Sequence, residues 1–487
     1  MPVAGALAVT AFAPLGWFPV ACLALLPLFY CWQQDTPVQA LRHGLLFGLG
    51  FFGAGISWVF VSVHEYGHVP IAAAVPVTLA LVLFLSLYPA LLGYLLKRFL
   101  PPQASWPTLV LAFPAGWALS EWLRGWLFSG FPWLSIGNSQ VDSPLAGYAP
   151  VLGVFGIGWL VALSAALLLA LLQHRGRVRT NSVLALVGIW AGGLLLGQIG
   201  WTSPRGEAIS VALVQGNIAQ QDKWQADKLL DSLALYADRS FSLPDIDLIV
   251  WPETAIAAFY DQVSENFIPY IEEKLQDSGA SLLTGIPMLD RGSWEYYNAV
   301  MSLGGKRAFY YKRHLVPYGE YLPMRWLFGS TLDALAVPNA DFSGGDDGQP
   351  LLQAAGYPVA TSICFEVVFG EEMIQALPEA ALLVNVSNDA WFGRSLAPFQ
   401  HLEMARMRAR ETGRPMLRAT NTGISALIDH QGRITARSRQ FEAAVVTGEV
   451  EPRQGATPYV RWGNVPIVAL CAGLLLFAGF LHRRAAG

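Results

Sequence analysis

Three short motifs carry side chains that can do covalent chemistry together. Trp251-Pro252-Glu253-Thr254 follows the apolar run Leu248-Ile249-Val250 and offers a carboxylate. Tyr311-Lys312-Arg313-His314-Leu315-Val316-Pro317-Tyr318-Gly319-Glu320 offers an ammonium, and Ser362-Ile363-Cys364-Phe365-Glu366 offers a thiol. Each stands at the end of a predicted strand. A free thiol with a pKa of about 8.5 is mostly protonated at neutral pH and needs a base. A partly desolvated glutamate can be that base, and a lysine nearby favours the thiolate and a developing oxyanion. The set therefore describes a nucleophile site. Taken singly, each residue has a plainer role: a buried cysteine, a carboxylate at a helix start, and a solvated lysine beside Arg313.

A second pattern, His64-Glu65-Tyr66-Gly67-His68, matches the H-E-x-x-H of zinc proteases. That chemistry needs a helix that puts both imidazoles on one face, and a third ligand. Gly67 inside the run and Pro70 after it point instead to a polar turn. No third-ligand motif accompanies it, so no metal or other cofactor is expected. A membrane metalloprotease is the alternative of a different class.

The elements that must position the three motifs lie in the more polar part of the chain. Short β-rich runs are predicted at 210–215, 247–251, 282–286, 298–303, 309–315, 359–364, 382–386, 416–427 and 445–450. Helical stretches are predicted at 223–240, 262–278 and 400–412. Strands alternating with helices predict an α/β sandwich. There is no phosphate-binding loop, dinucleotide fingerprint or internal repeat.

The rest of the chain reads as membrane. Of 487 residues, 54% are hydrophobic and 14% charged, against about 25% charged in soluble domains. Of the Asp, Glu, Lys and Arg residues, 11 fall in 1–200, 53 in 201–462 and 2 in 463–487. This predicts a membrane domain at 1–200, a catalytic domain at 201–462 and a C-terminal transmembrane helix at 463–487. About eight spans are expected: two in 3–32, broken at Pro14 and Gly16, then 44–63, 70–96, 106–123, 150–172, 181–200 and 464–481. No removable signal peptide is expected.

Arg42, Lys97 with Arg98, the Arg175, Arg177 and Arg179 loop, and Arg483 with Arg484 fall in alternate loops. Together they place the 201–462 domain outside the cytoplasm. Trp106, Trp126, Trp133, Trp201 and Trp462 sit near span ends and read as interface anchors. The apolar loop 125–150 is expected to lie in the interface. The net charge of −4 and the lack of a basic run argue against nucleic-acid binding. Cys364 is the only cysteine of the 201–462 region, since Cys22, Cys31 and Cys471 lie in apolar stretches.

In these contexts Glu253, Lys312 and Cys364 resemble the Glu-Lys-Cys triad of the carbon–nitrogen hydrolase (nitrilase) superfamily. With the membrane flanks, the chain resembles the apolipoprotein N-acyltransferase family within it. Further segments carry that resemblance: Val214-Gln215-Gly216-Asn217-Ile218 with Trp224, Asn388-Asp389-Ala390-Trp391-Phe392-Gly393, Arg418-Ala419-Thr420-Asn421-Thr422-Gly423, and Phe131-Pro132-Trp133-Leu134.

The resemblance implies an αββα sandwich and ping-pong acyl transfer in the bacterial inner membrane. A phospholipid would be the acyl donor and a diacylated apolipoprotein the acceptor. Glu253 would act as base, Cys364 would carry the thioester, and Lys312 would stabilise the oxyanion. Glu320, Glu366 and Trp224 would support the site. The family often has tyrosine after the nucleophile. Here Phe365 keeps the aromatic body without the hydroxyl, which implies a role in shape. Lys312→Ala is expected to leave folding intact and stop thioester formation. A nearer alternative lets water be the acceptor, giving a membrane-tethered amidase or lipid hydrolase.

Overall fold

The computed structural model describes residues 1–100, 106–321 and 341–486. The chain divides into two compact units. One holds residues 1–60, 70–200 and 461–487, the other residues 61–69 and 201–460.

The first unit is helical. Its helices are Pro2–Ala8, Pro19–Gln34, Pro37–Gly55, Ile71–Phe99, Trp106–Arg124, Ala149–Gln173, Arg177–Leu196 and Val465–Ala486. The break at Pro14 and Gly16 falls where the sequence places it, between the first two. Among the described residues, three segments are long and apolar enough by themselves to cross a membrane: 71–99, 144–173 and 177–196. The pair Pro37–Gly55 and Trp58–Tyr66, bent by 51°, passes the same test only when the two helices are taken together as one span.

The loop 125–148 folds onto its own unit rather than extending. Glu121 Oε1 accepts from the Ile136 amide at 2.8 Å. Arg124 Nη1 donates to the carbonyls of Phe131 and Trp133. These buried charges satisfy loop backbone that would otherwise be stranded away from water. Trp133 is consequently a core residue, 0% exposed, and its ring packs against Trp58 at 4.9 Å. The reading of Trp133 as an interface anchor is corrected. Trp126 and Trp462 are exposed, as that role requires.

The second unit is built on two six-stranded sheets. The strands of these two sheets are β1 (Ile209–Gln215), β2 (Leu248–Val250), β3 (Ser281–Asp290), β4 (Glu295–Leu303), β5 (Ala308–Tyr311), β6 (Leu352–Ala354), β7 (Tyr357–Ile363), β8 (Leu382–Ser387), β9 (Met416–Thr420), β10 (Ala426–Ile428), β11 (Ile434–Arg437) and β12 (Ala444–Val450). The first sheet runs β12-β1-β2-β3-β4-β5 and the second β11-β10-β9-β8-β7-β6. Each has three central parallel strands, β1-β2-β3 and β7-β8-β9.

Alternation along the strands sorts the side chains. Val211, Leu213, Leu248 and Val250 face the second sheet and meet Val384, Val386, Leu417 and Ala419 there. Val214 and Ile249 face outward, under Leu233, Tyr236 and Ala237 of helix Ala226–Phe241 and Ile268, Ile271 and Leu275 of helix Phe267–Ser278. Helix Ala397–Thr412 packs on the second sheet, so the layers are αββα.

Two predicted strands change. The run 416–427 is two antiparallel strands, β9 and β10, with Met416 opposite Ile428. The polar Asn421-Thr422-Gly423 between them makes the turn, a signal that Gly and Asn carry in the sequence itself. The run 309–315 stops at Tyr311 because the amides of Arg313 and His314 turn away to the carboxylate of Glu366.

Candidate active site

Glu253, Lys312 and Cys364 all lie just past the C-terminal ends of strands, after β2, β5 and β7. In open α/β sheets this is where ligands bind.

Glu253 is buried. Its Oε1 accepts from Asn298 Nδ2 at 2.7 Å, and its Oε2 from the Asn388 amide at 2.7 Å. Each oxygen keeps acceptor capacity for a proton. Gly285 of β3 lets the 252–254 turn come close, since a Cβ there would collide with the backbone of Pro252, Glu253 and Thr254.

Lys312 is 1% exposed. Its Nζ is 2.6 Å from Glu320 Oε1, and Glu320 Oε2 accepts from the Val316 amide at 2.8 Å. Burial pulls the Lys312 ammonium down. Glu320, Glu253 and the Cys364 sulfur outweigh it, and the net shift is upward. Lys312 therefore stays charged.

Cys364 opens a 3₁₀ turn, Cys364–Val368, in a left-handed conformation with φ 52°. That conformation is uncommon for a residue with a side chain and is held only where surroundings enforce it. Burial pushes the Cys364 thiol far up. Glu253 and Asp389 add to this, while Lys312 opposes it. The sulfur therefore favours its protonated form, and both the Glu253 carboxylate and the Lys312 ammonium act on it electrostatically.

The supporting residues divide. Glu366 is buried and its carboxylate is fully occupied. Oε1 accepts from the amides of Arg313 and His314 at 2.7 and 3.2 Å, and Oε2 from the Ile363 amide at 2.7 Å and Tyr310 OH at 3.0 Å. It ties the end of β5 to the end of β7. Phe365 packs edge-on against Phe369, ring centroids 5.1 Å apart, and beside His314. Trp224 is 53% exposed. Its neighbour Lys223 is buried instead and donates to the Glu253 carbonyl at 3.1 Å.

Sequence reasoning missed Lys223, Asn298 and the roles of Asn388, Asp389, His401 and Arg418. Asn388, Asp389 and Arg418 lie in motifs whose spelling was informative. Lys223 and His401 carried no signal, because one sits beside a tryptophan and the other inside a polar helix.

The His64–His68 run begins in a helical turn and leaves it at Gly67. Ser62–Tyr66 forms a π-helical turn, and His64 Nδ1 lies 2.8 Å from the Val69 carbonyl. The turn docks on the loop after β8. Ser62 Oγ donates to the Trp391 carbonyl at 2.7 Å, and the Tyr66 and Trp391 rings meet edge-on at 6.2 Å.

Comparison with known proteins bears on the whole chain. The family model for the apolipoprotein N-acyltransferase N-terminal domain matches residues 4–167, and that for carbon-nitrogen hydrolase matches residues 210–459. The apolipoprotein N-acyltransferase of Methylococcus capsulatus is 48% identical over 97% of this chain and 94% of its own length. That of Nitrosomonas europaea is 46% identical over 98% and 95%, and that of Pseudomonas syringae pv. tomato 42% over 97% and 94%. A helical unit with apolar, span-length helices, an αββα unit, both family models in order and near full-length similarity lead to one conclusion: the chain belongs to the apolipoprotein N-acyltransferase family.

Proposed function

We propose that this membrane enzyme moves an acyl chain from a phospholipid to the α-amine of the S-diacylglyceryl cysteine at the N-terminus of an apolipoprotein. Glu253, Lys312 and Cys364 are the reacting groups. Glu253 takes the Cys364 proton as the sulfur attacks the sn-1 ester carbonyl. The oxyanion forms beside the Lys312 ammonium, where a fixed charge in a dry site is worth most. Collapse breaks the ester C–O bond. The lysophospholipid leaves with the proton from Glu253, and the acyl group stays on sulfur as a thioester. The acceptor amine then attacks, Glu253 takes its proton, and Cys364 leaves as thiolate to be reprotonated.

The observation that carries this reading is that Glu253, Lys312 and Cys364 all stand just past the C-terminal ends of β2, β5 and β7, with a Glu253 carboxylate that keeps acceptor capacity. A resting thiol needs a base at the moment of attack. Trp224 is exposed and would serve the apolar substrate rather than the proton steps. Residues 201–462 would face outward from the bacterial inner membrane, with 463–487 as the last span. Water competes for any thioester, so the site must hold the amine close and keep solvent out.

Mass spectrometry tests the scheme. Incubation with phospholipid should add one acyl mass to the Cys364 peptide. A diacylated lipopeptide should discharge it as triacylated product forms. Free fatty acid as the main product, with lipopeptide present, would make the enzyme a hydrolase. No acyl mass on that peptide would remove the thioester mechanism.

A further inference from the structure

Behind the nucleophile lies a polar cluster that the acyl-transfer steps do not use. His401, Arg418, Asp389, Asn385 and Ser387 are all buried. They come from helix Ala397–Thr412, from β9, from the turn after β8, and from β8 itself. His401 Nε2 is 3.1 Å from the Cys364 carbonyl, and Asn385 Nδ2 is 3.3 Å from the same oxygen. A carbonyl can only accept, so Nε2 carries a hydrogen.

The other ring nitrogen is also accounted for. Arg418 Nη2 is 3.0 Å from His401 Nδ1 and 2.9 Å from Asp389 Oδ2. Its two hydrogens can serve both. Asp389 Oδ1 already accepts from Ser387 Oγ at 2.8 Å, although it also lies 3.2 Å from His401 Nδ1. Arg418 Nη1 donates to Asn385 Oδ1. A proton on Nδ1 would oppose the guanidinium, so the imidazole is neutral with its hydrogen on Nε2. Burial and Arg418 both favour the neutral ring, against Asp389.

We infer that His401 is a positioning residue: held in one tautomer by Arg418 and Asp389, it clamps the Cys364 carbonyl and so keeps the nucleophile in its left-handed conformation. This inference rests on Cys364 being the nucleophile of the proposed reaction. The strained residue needs such a clamp. Two donors from different elements grip the one oxygen whose direction sets the peptide after Cys364. Gly423 belongs to the same device. A Cβ there would drive into the Asp389 carboxylate, displacing the acceptor that orients Arg418.

Two measurements test it. His401→Met removes the donor and roughly keeps the volume, while His401→Gln keeps an N–H at similar reach. Acylation of Cys364 should fall about 100-fold in His401→Met with KM for phospholipid unchanged, the scale of a misplaced reacting group. His401→Gln should recover most of that loss. Equal rates in His401→Met and wild type, or equal losses in both variants, would overturn the clamp.

Nitrogen-15 shifts of labelled histidine in the wild-type protein, assigned by subtraction with His401→Gln, decide the matter even if His401→Met fails to fold. The signal should be a neutral Nε2–H ring from about pH 6 to about pH 8, set by Asp389, Arg418 and the Cys364 carbonyl. A charged ring or an Nδ1–H ring refutes the assignment. The nitrogen shifts do not depend on acyl transfer, so failure to form acyl-Cys364 in the wild type would count against the proposed function and not against the tautomer.

Discussion

The Lys312–Glu320 pair makes Lys312→Met a test of both stability and chemistry. Nζ and Oε1 are 2.6 Å apart, and the side chains are 1% and 13% exposed. Removing the ammonium leaves the half-buried Glu320 carboxylate with the Val316 amide as its partner among the described residues. Breaking a buried ion pair from one side costs about 3–5 kcal/mol. A unit of this size loses about 2–4 °C of Tm per kcal/mol, so the shift should be about 6–20 °C downward. The expectation that a lysine deletion leaves folding intact is thereby revised, because the sequence does not show that Lys312 is the counter-ion of Glu320.

The double variant K312M/E320Q separates the two roles. Glutamine still accepts from Val316 but carries no charge, so Tm should return to within about 3 °C of wild type. Acylation of Cys364, followed by mass spectrometry, should stay about 100- to 1000-fold below wild type, the effect of losing one oxyanion donor. A thermally restored double variant that acylates at the wild-type rate would refute the role given to Lys312. A single variant with unchanged Tm would refute the ion-pair argument.

Cys364→Ala should abolish acyl transfer. Cys364→Ser should nearly do so at unchanged Tm, because an alkoxide is harder to form than a thiolate; wild-type turnover in either, measured with a diacylated lipopeptide, would exclude the mechanism. Burial lowers Lys223 from 10.5 to about 8, against the opposing pull of Glu253 and Cys364. Between those pH values the unfolded chain binds the extra proton, so stability should rise with pH in that window. Lys223→Met should flatten this rise in pH-dependent thermal melts, and identical slopes would contradict it.

Much of the site was legible before any coordinates. Trp251-Pro252-Glu253, the Lys312 segment and the Cys364 segment each end an apolar run, and the ends of such runs are strand ends. The membrane character of the first 200 residues follows from charge placement alone, because a charge is costly in hydrocarbon wherever it falls in the chain.

What needed the tertiary structure is which charges are partners. Glu320 could be assigned to the site only by resemblance, and it is the direct ion-pair partner of Lys312. Glu366 is likewise placed beside the site only by resemblance, and its bonds tie the end of β5 to the end of β7. Helix Ala397–Thr412 spells a polar, solvated face, but Gln400, His401, Glu403, Arg408 and Glu411 are buried. Burial of polar side chains depends on partners from distant strands, which local periodicity does not encode. Sequence determined the kinds of group present and the strand ends that carry them. Folding decided which became neutral, which stayed charged and which hold others in place, because those outcomes depend on distance and desolvation.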